Sequence, residues 1–256
     1  MNDKFKRRLC SGEFQFGTHI NACDPTLTEL LGGCGFDYLW IDTEHTAIDY
    51  TGLQMHLIAA RAAGCPALVR VPWNEPYLAK RVLEQGPDGI IFPMIRSVEE
   101  AKKALDACIY PPDGLRCFGP IRAQGYGSVP LDEYMEQAKN GLCRLLQIEH
   151  FDAVNHIDEI LELDGLDGVI LGPCDLSGSV KLLGQTNAPE VASLIDRTIG
   201  KCREHGVPVG VSLGACGPDT VLAWKRRGAQ FVSAGSEYGY VLRGAGQLLK
   251  GVRAEG

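Results

Sequence analysis

The sequence has no excess of positive charge, and this absence excludes one large class of partners. Lysine and arginine number 25 against 32 aspartate and glutamate residues, which gives a formal net charge of −7. Nucleic-acid-binding proteins usually carry a basic patch that neutralises phosphates, and here no basic run is longer than Lys6-Arg7-Arg8. We therefore expect neither a nucleic acid nor an anionic membrane surface as a partner.

Long hydrophobic runs and closely spaced cysteines are also missing. No stretch approaches the roughly 20 consecutive apolar residues of a membrane span, and no apolar segment typical of a secretion signal follows Met1. We therefore expect a cytoplasmic protein.

The ten cysteines, spread from Cys10 to Cys216, include no Cys-x-x-Cys pair. We expect reduced, mostly buried thiols rather than disulfides or a zinc site.

Short apolar segments alternate with longer helical patterns, in about eight such pairs. The predicted strands are Phe14–Ile20, Tyr38–Asp42, Ala67–Val71, Gly89–Pro93, Cys143–Glu149, Gly168–Leu171, Val207–Leu213 and Gln230–Ala234. The predicted helices are Thr26–Leu31, Tyr50–Ala63, Tyr77–Glu84, Ala101–Ala107, Val154–Leu163, Pro189–His205, Pro218–Arg227 and Gly239–Val252. Most strands are unbroken apolar runs, as expected when both faces of a sheet are covered. The pattern predicts one α/β domain over residues 1–256, a single (β/α)8 TIM barrel.

The connection Tyr110–Asn140 is longer than this pattern requires. Loops of this length in compact domains are usually lids, binding loops or disordered segments. Its glycines and the two arginines, Arg116 and Arg122, favour an active-site lid over about residues 110–140, and a helix is expected from Leu131.

Active sites of such barrels lie where the strands end, and the predicted strand ends are unusually polar. Glu149 and Asp175 end neighbouring strands, where two carboxylates held close together would repel each other unless a cation lay between them. Two protein carboxylates leave several positions of Mg²⁺ or Mn²⁺ free for water and a chelating substrate. Alternatively, each carboxylate caps a helix or pairs with an arginine. For Asp175 a short helix beginning nearby favours the cap.

Two further side chains at strand ends point to chemistry. Arg70 lies in an otherwise apolar strand and needs an anionic partner, which is either a substrate or a buried pair with Glu44 or Glu149. His45 follows an acidic strand end and is the best candidate for a general acid or base. The backbone after Gly172-Pro173 could bind a carboxylate at a helix start, although Gly-Pro also marks an ordinary turn.

Four of these segments, in this order and spacing, resemble the HpcH/HpaI aldolase family. They are Ile41-Asp42-Thr43-Glu44-His45, Leu68-Val69-Arg70-Val71-Pro72, Gln147-Ile148-Glu149 and Leu171-Gly172-Pro173-Cys174-Asp175-Leu176-Ser177, and the resemblance extends from about Phe16 to Gly244. It implies a class II pyruvate aldolase that uses Mg²⁺, Mn²⁺ or Co²⁺. Such an enzyme cleaves 4-hydroxy-2-oxo acids to pyruvate and an aldehyde through a metal-stabilised pyruvate enolate, and catalyses the reverse addition.

The resemblance also assigns roles to residues. Glu149 and Asp175 would bind the metal, Arg70 would stabilise the enolate, and His45 would be the acid and base. Glu84, where the family usually has Asp, would assist His45. The implied pyruvate site comprises Gln147, Gly172, Pro173, Cys174, Asp175 and Leu213.

The sequence departs from the family at His19, where Trp is frequent, so the mouth of the first strand is expected to be more polar. The segment Arg116–Gly127 does not resemble that of the best-known sugar-acid members of the family, so we expect the aldehyde partner to differ from theirs. Two other functions stay open: a citrate lyase-like enzyme acting on acyl-CoA, although no basic cluster suits CoA, and a barrel that binds an oxo acid without turnover. Oxaloacetate decarboxylation is a plausible side activity.

The family further implies a homohexamer, a trimer of dimers that exchange their last helix. In this chain the exchanged helix would be the apolar segment Tyr240–Leu249. The alternative is that this segment forms an ordinary barrel helix.

Overall fold

A computed structural model describes residues 3–254 of the chain. The predicted domain extends past this range, and its residues 1, 2, 255 and 256 lie outside the described part. The strands are β1 (Gln15–Ile20), β2 (Tyr38–Asp42), β3 (Ala67–Arg70), β4 (Gly89–Ile95), β5 (Cys143–Ile148), β6 (Gly168–Leu171), β7 (Val209–Leu213) and β8 (Phe231–Ser236). All pair in parallel in sequence order, and β8 pairs with β1 to close the barrel. The predicted (β/α)8 barrel is thereby confirmed.

Helices connect the strands, and most of them cover the outside of the barrel. They are α1 (Lys4–Cys10), α2 (Pro25–Gly33), α3 (Tyr50–Ala62), α4 (Pro76–Leu83), α5 (Val98–Asp106), α6 (Leu131–Glu136), α7 (Phe151–Asn155), α8 (Ile157–Leu161), α9 (Pro173–Ser179), α10 (Pro189–His205), α11 (Pro218–Arg227) and α12 (Glu237–Arg253). Side chains cap several of them: Asp24 accepts from the amide of Thr26, and Ser97 accepts from that of Glu100. The helix predicted over Val154–Leu163 is instead two short helices that meet at His156.

The N-terminal helix α1 was not predicted, because its mostly basic sequence carries only two apolar side chains that become buried. Phe5 and Leu9 close the end of the barrel at which the strands begin. The Phe5 ring lies 4.8 Å from that of Tyr38 and 5.7 Å from that of Phe231, centroid to centroid. The opposite end, where the strands finish, is left for the functional site.

The prediction of mostly buried cysteines is wrong, although all ten are free thiols as expected. Cys65, Cys108, Cys143 and Cys202 are buried, whereas Cys10, Cys23, Cys34, Cys117 and Cys174 are exposed. Of the exposed five, Cys10, Cys34 and Cys174 lie in short helices or at helix ends, and Cys23 and Cys117 lie in connections; in both places the apolar pattern of the strands gives no information. Among residues 3–254 no helix is long and apolar enough to cross a membrane.

The last helix, α12, projects from the barrel rather than packing along it. Every described residue after Tyr240 is exposed, and these include Val241, Leu242 and Leu248. An ordinary barrel helix would bury one such apolar stripe against the strands. The helix is therefore not the ordinary barrel helix that was the alternative to an exchanged one.

Candidate functional site

A cavity of about 630 Å³ lies at the end of the barrel where the strands finish. The predicted site residues that line it are His45, Arg70, Gln147, Gly172, Pro173, Cys174, Asp175 and Leu213. Glu149 is buried directly beneath them, since its carboxylate accepts a hydrogen bond from Gln147 and approaches Gly172. Of the predicted residues, only Glu84 lies elsewhere.

Arg70 is held by a carboxylate that the sequence did not identify as its partner. Its Nε and Nη2 donate to the two oxygens of Asp42, at 2.9 and 2.6 Å, and its Nη1 lies 3.0 Å from Glu44 Oε2. Burial disfavours the charged form of Asp42, but the hydrogen bonds and charge of Arg70 outweigh this and lower the pKa of Asp42. The sequence predicted Glu44 or Glu149 as the partner in a buried pair, and Glu44 is indeed in contact with Arg70. Arg70 still borders the cavity, so it combines a fixed position with access to a ligand.

Glu149 is anchored at the bottom of the site by its neighbours. Its Oε1 accepts from the amide of Met94 at 2.7 Å, and its Oε2 accepts from Gln147 Nε2 at 2.5 Å. Met94 has a φ of 54°, and the register between β4 and β5 shifts there, so an irregular strand end directs this amide at the carboxylate. Burial, with repulsion from Asp175, raises the pKa of Glu149 to about 7.

Asp175 lies above Glu149 on the first turn of α9. The helix begins at Pro173 with Gly172 as its N-cap, so Asp175 does not cap it as the alternative proposed. Its side chain is exposed to the cavity. Asp175 lines the same cavity as Gly172, which abuts the Glu149 carboxylate, and the negative charge of Asp175 helps to raise the pKa of Glu149. In the described part of the chain no group of three or more His, Cys, Asp or Glu side chains has the arrangement of a metal site, so a cation here would depend on two protein carboxylates.

His45 lies at the rim of the cavity. Its side chain is 65% exposed, and Nε2 is 3.7 Å from Glu44 Oε2, whose carboxylate also contacts Arg70. The imidazole is therefore free to meet a substrate that enters from solvent, and Glu44 is the acidic group nearest to it.

Glu84 and the long loop lie at the other end of the barrel. Glu84 follows α4 just before β4 begins, whereas His45 follows the end of β2. The loop connects α5 to β5, and its Arg116 and Arg122 donate to the backbone carbonyls of Leu83 and Gln85. A connection from helix to strand runs at the end of the barrel opposite the strand ends, so this loop is not a lid over its own cavity. Glu84 likewise makes no contact with His45 of the same chain.

Sequence reasoning gave too little weight to His19 and did not consider Ser212, both of which line the cavity. His19 Nδ1 lies 2.9 Å from the carbonyl oxygen of Gly235, and Nε2 lies 3.0 Å from Ser212 Oγ. Burial lowers the pKa of His19 to about 4, and the charge of Arg70 acts in the same direction. The departure from the frequent Trp was the one sequence signal that pointed to this position.

This half-buried histidine, which is neutral in the fold, predicts acid sensitivity. Its pKa falls from 6.5 in the unfolded chain to about 4 in the fold, so the unfolded state binds more protons between these values and stability rises with pH across that window. Relative to His19→Phe, we expect the wild type to lose roughly 3 kcal/mol of unfolding free energy between pH 7 and pH 4, measured by urea denaturation. Equal losses in both proteins would contradict the buried neutral state.

Comparison with known proteins shows which family the chain belongs to. A family model described as HpcH/HpaI aldolase/citrate lyase matches residues 15–243. The 5-keto-4-deoxy-D-glucarate aldolase of Enterobacter sp. (strain 638) is 38% identical across 96% of this chain and 95% of its own length. The hydroxypyruvate/pyruvate aldolase of Roseobacter denitrificans is 35% identical across 93% and 92%. The crystal structure of an HpcH/HpaI aldolase/citrate lyase family protein from Burkholderia cenocepacia J2315 matches with a TM-score of 0.92 at 29% identity, covering 98% of this chain and 100% of that one. The chain therefore belongs to the HpcH/HpaI aldolase/citrate lyase family and is an enzyme of the lyase class.

Proposed function

We propose that this enzyme is a divalent-metal-dependent class II aldolase that cleaves 4-hydroxy-2-oxo acids to pyruvate and an aldehyde and also catalyses the reverse addition. The observation that carries the proposal is one cavity that is lined by the exposed Asp175 and the fixed guanidinium of Arg70, with the anchored Glu149 buried directly beneath its lining. Aldolase names among the relatives support the same reaction class.

The two carboxylates suit a divalent cation. Glu149 is buried with a raised pKa and is repelled by Asp175, so a cation between them would offset both the burial and the repulsion. Gly172 has no side chain, and any Cβ there would collide with the Glu149 carboxylate. Glu149 and Asp175 would hold Mg²⁺, Mn²⁺ or Co²⁺ and leave several positions for substrate oxygens. The bound cation would supply Lewis-acid polarisation of the oxo-acid carbonyl.

The remaining steps follow from side chains of this chain. Arg70, fixed by Asp42, places a positive charge where negative charge develops on the carbonyl oxygen as the C3–C4 bond breaks and its electron pair moves into the pyruvate enolate. Gln147, whose Nε2 carries a second N–H besides the one that it donates to Glu149, and the backbone at Cys174 hold the oxo acid. Gly172 and Pro173 shape this end of the pocket, and Leu213 lines its apolar side. His45, at the rim, moves the proton to and from the hydroxyl derived from the aldehyde.

Glu84 can assist His45 only between two copies of the chain, because within one chain they lie at opposite ends of the barrel. The exposed apolar residues of α12, including Val241 and Leu248, support a homo-oligomer. We propose the homohexamer, a trimer of dimers, that the family resemblance implies, and expect light scattering to give about six times the chain mass of 27.8 kDa. A monomeric mass would exclude both the exchange of α12 and the role of Glu84.

Deuterium exchange into the methyl group of pyruvate, followed by NMR, tests the reaction. We expect exchange with Mn²⁺ or Mg²⁺, none with a chelator, and none in Glu149→Ala even with metal. The exchange requires only proton removal from C3, so it does not depend on knowing the aldehyde. Absence of exchange in the wild type under every metal would contradict the proposal and favour an acyl-CoA substrate or a non-catalytic barrel.

A further inference from the structure

The wall of the cavity formed by β1, β7 and β8 carries a polar pair that the reaction described above does not use. His19 lies on β1 and Ser212 on β7, and both side chains border the cavity. The His19 ring rests on Trp40, with 5.2 Å between ring centroids, and the Arg70 guanidinium lies 5.3 Å from the same indole. The pair therefore lies close to the group that would stabilise the reacting oxygen.

The hydrogen bonds of His19 fix the direction of the bond to Ser212. The carbonyl oxygen of Gly235 can only accept, so Nδ1 of His19 must carry a proton and donate to it. In a neutral imidazole the other nitrogen, Nε2, can then only accept. The Ser212 hydroxyl must therefore donate its proton to Nε2, across 3.0 Å.

The surroundings of His19 keep its ring neutral. In the described part of the chain its two hydrogen-bond partners are a carbonyl and a hydroxyl, neither of which is an anion. Burial lowers its pKa to about 4, and Arg70 places a positive charge nearby. Protonating the ring would also leave Nε2 and Ser212 Oγ with two donors facing each other unless the hydroxyl turned away.

We propose that Ser212, oriented by His19, is a specificity-determining residue that selects substrates carrying a hydroxyl group beside the reacting carbons. With its only proton given to His19, Ser212 Oγ offers lone pairs alone to the cavity. A substrate hydroxyl can donate to them, whereas a carboxylate in that position would face them without a proton to share. The proposal rests on the aldolase function above. The hydroxyl could belong to the aldehyde or to the oxo acid, as in a hydroxyaldehyde or a 3-hydroxy-2-oxo acid.

Aldol addition rates with matched substrates test the proposal and identify the source of the hydroxyl. One arm compares glycolaldehyde with acetaldehyde as partners of pyruvate, and the other compares hydroxypyruvate with pyruvate as partners of acetaldehyde. We expect the wild type to prefer the hydroxylated compound in at least one arm. In that arm Ser212→Ala should reduce the ratio of kcat/KM values by about three- to tenfold, the effect of one neutral hydrogen bond.

A second variant tests the direction of the hydrogen bond. His19→Phe keeps an aromatic ring next to Trp40 and leaves the Ser212 hydroxyl in place. That hydroxyl no longer has Nε2 of His19 as an acceptor, so it can donate its proton to a substrate. The preference for glycolaldehyde over glyoxylate, whose carboxylate can only accept, should then decrease although Ser212 is intact. An unchanged preference would overturn the role of His19. If this variant does not fold, as judged by thermal denaturation, Ser212→Ala alone decides the outcome.

The matched control is Ser236→Ala, which removes another hydroxyl from the same cavity; Ser236 pairs with His19 across β1 and β8, but in the described part of the chain its hydroxyl makes no hydrogen bond to the imidazole. We expect it to leave both ratios unchanged. The inference would be overturned if Ser212→Ala and the wild type gave equal ratios of kcat/KM, hydroxylated over non-hydroxylated substrate, in both comparisons. If pyruvate methyl exchange were intact in the same variant, the aldolase function would still stand. Absence of exchange in the wild type would instead refute the aldolase function and this inference with it.

Discussion

Arg70→Met is expected to reduce both stability and catalysis severely. The guanidinium makes two hydrogen bonds to Asp42 and one close contact with Glu44, and Asp42 is only 4% exposed. Removing one partner of a buried ion pair leaves an uncompensated charge and typically costs about 3–5 kcal/mol. Loss of a positioned charge that stabilises a developing oxyanion typically lowers kcat by about 10²–10³. Urea denaturation and pyruvate methyl exchange measure the two effects separately.

The double variant Arg70→Met/Asp42→Asn separates the structural role of Arg70 from the catalytic one. The asparagine removes the unpaired charge and keeps an oxygen that can accept from the amide of Glu44. We expect stability to recover by a large part of the loss, because both charges are gone. Exchange should stay at the level of the single variant. Recovery of exchange together with stability would show that Arg70 acts only by neutralising Asp42.

Gly172→Ala is expected to abolish most of the activity while leaving the backbone unstrained. The φ of −109° at Gly172 is accessible to alanine, so the effect comes from space alone. A Cβ there would collide with Glu149 Oε2, lie 2.9 Å from Glu149 Cβ and 3.3 Å from Gln147 Nε2. The carboxylate must move, and a displacement of about 1 Å in a reacting site can cost about 10²-fold in rate. We expect a fall of this size in pyruvate exchange.

Gly214→Ala is the matched control, since Gly214 also lines the cavity but a Cβ there would meet no atom within 4 Å. We expect exchange within about twofold of the wild type, because surface substitutions without a contact rarely change stability by more than about 0.5 kcal/mol. A weaker affinity for Mn²⁺ in Gly172→Ala, titrated through the metal-dependent rise in melting temperature, would place the damage at Glu149. Normal exchange in Gly172→Ala would contradict the tight approach of Gly172 and Glu149.

The eight strands and most helices could be predicted from the sequence, because buried parallel strands are apolar runs and helix starts carry caps such as Ser97. Once the strands are known, the residues that follow them can also be predicted to lie together, because parallel strands all finish at one end of the barrel. Arg70, Gln147 and Gly172 lie at that end. Helix α1 could not, because Phe5 and Leu9 become buried only once a barrel end exists to receive them.

Contacts that depend on tertiary geometry were also missed. The pairing of Arg70 with Asp42 requires knowing that β2 and β3 are in register at these two residues. The anchoring of Glu149 by the amide of Met94 leaves no trace in side-chain chemistry, because any residue there supplies an amide. The loop at 110–140 was misplaced because its length and glycines suggested a lid, whereas its position after a helix and before a strand determines which end it covers.

The closure of one barrel end by Phe5 and Leu9 constrains the order of events in turnover. Substrates and products would enter and leave at the end of the barrel where the strands finish, and there Glu149 lies beneath the cavity whereas His45 lies at its rim. The oxo acid must therefore enter before the aldehyde, and in cleavage the aldehyde must leave before pyruvate. Steady-state kinetics should be ordered, with pyruvate as the last product released.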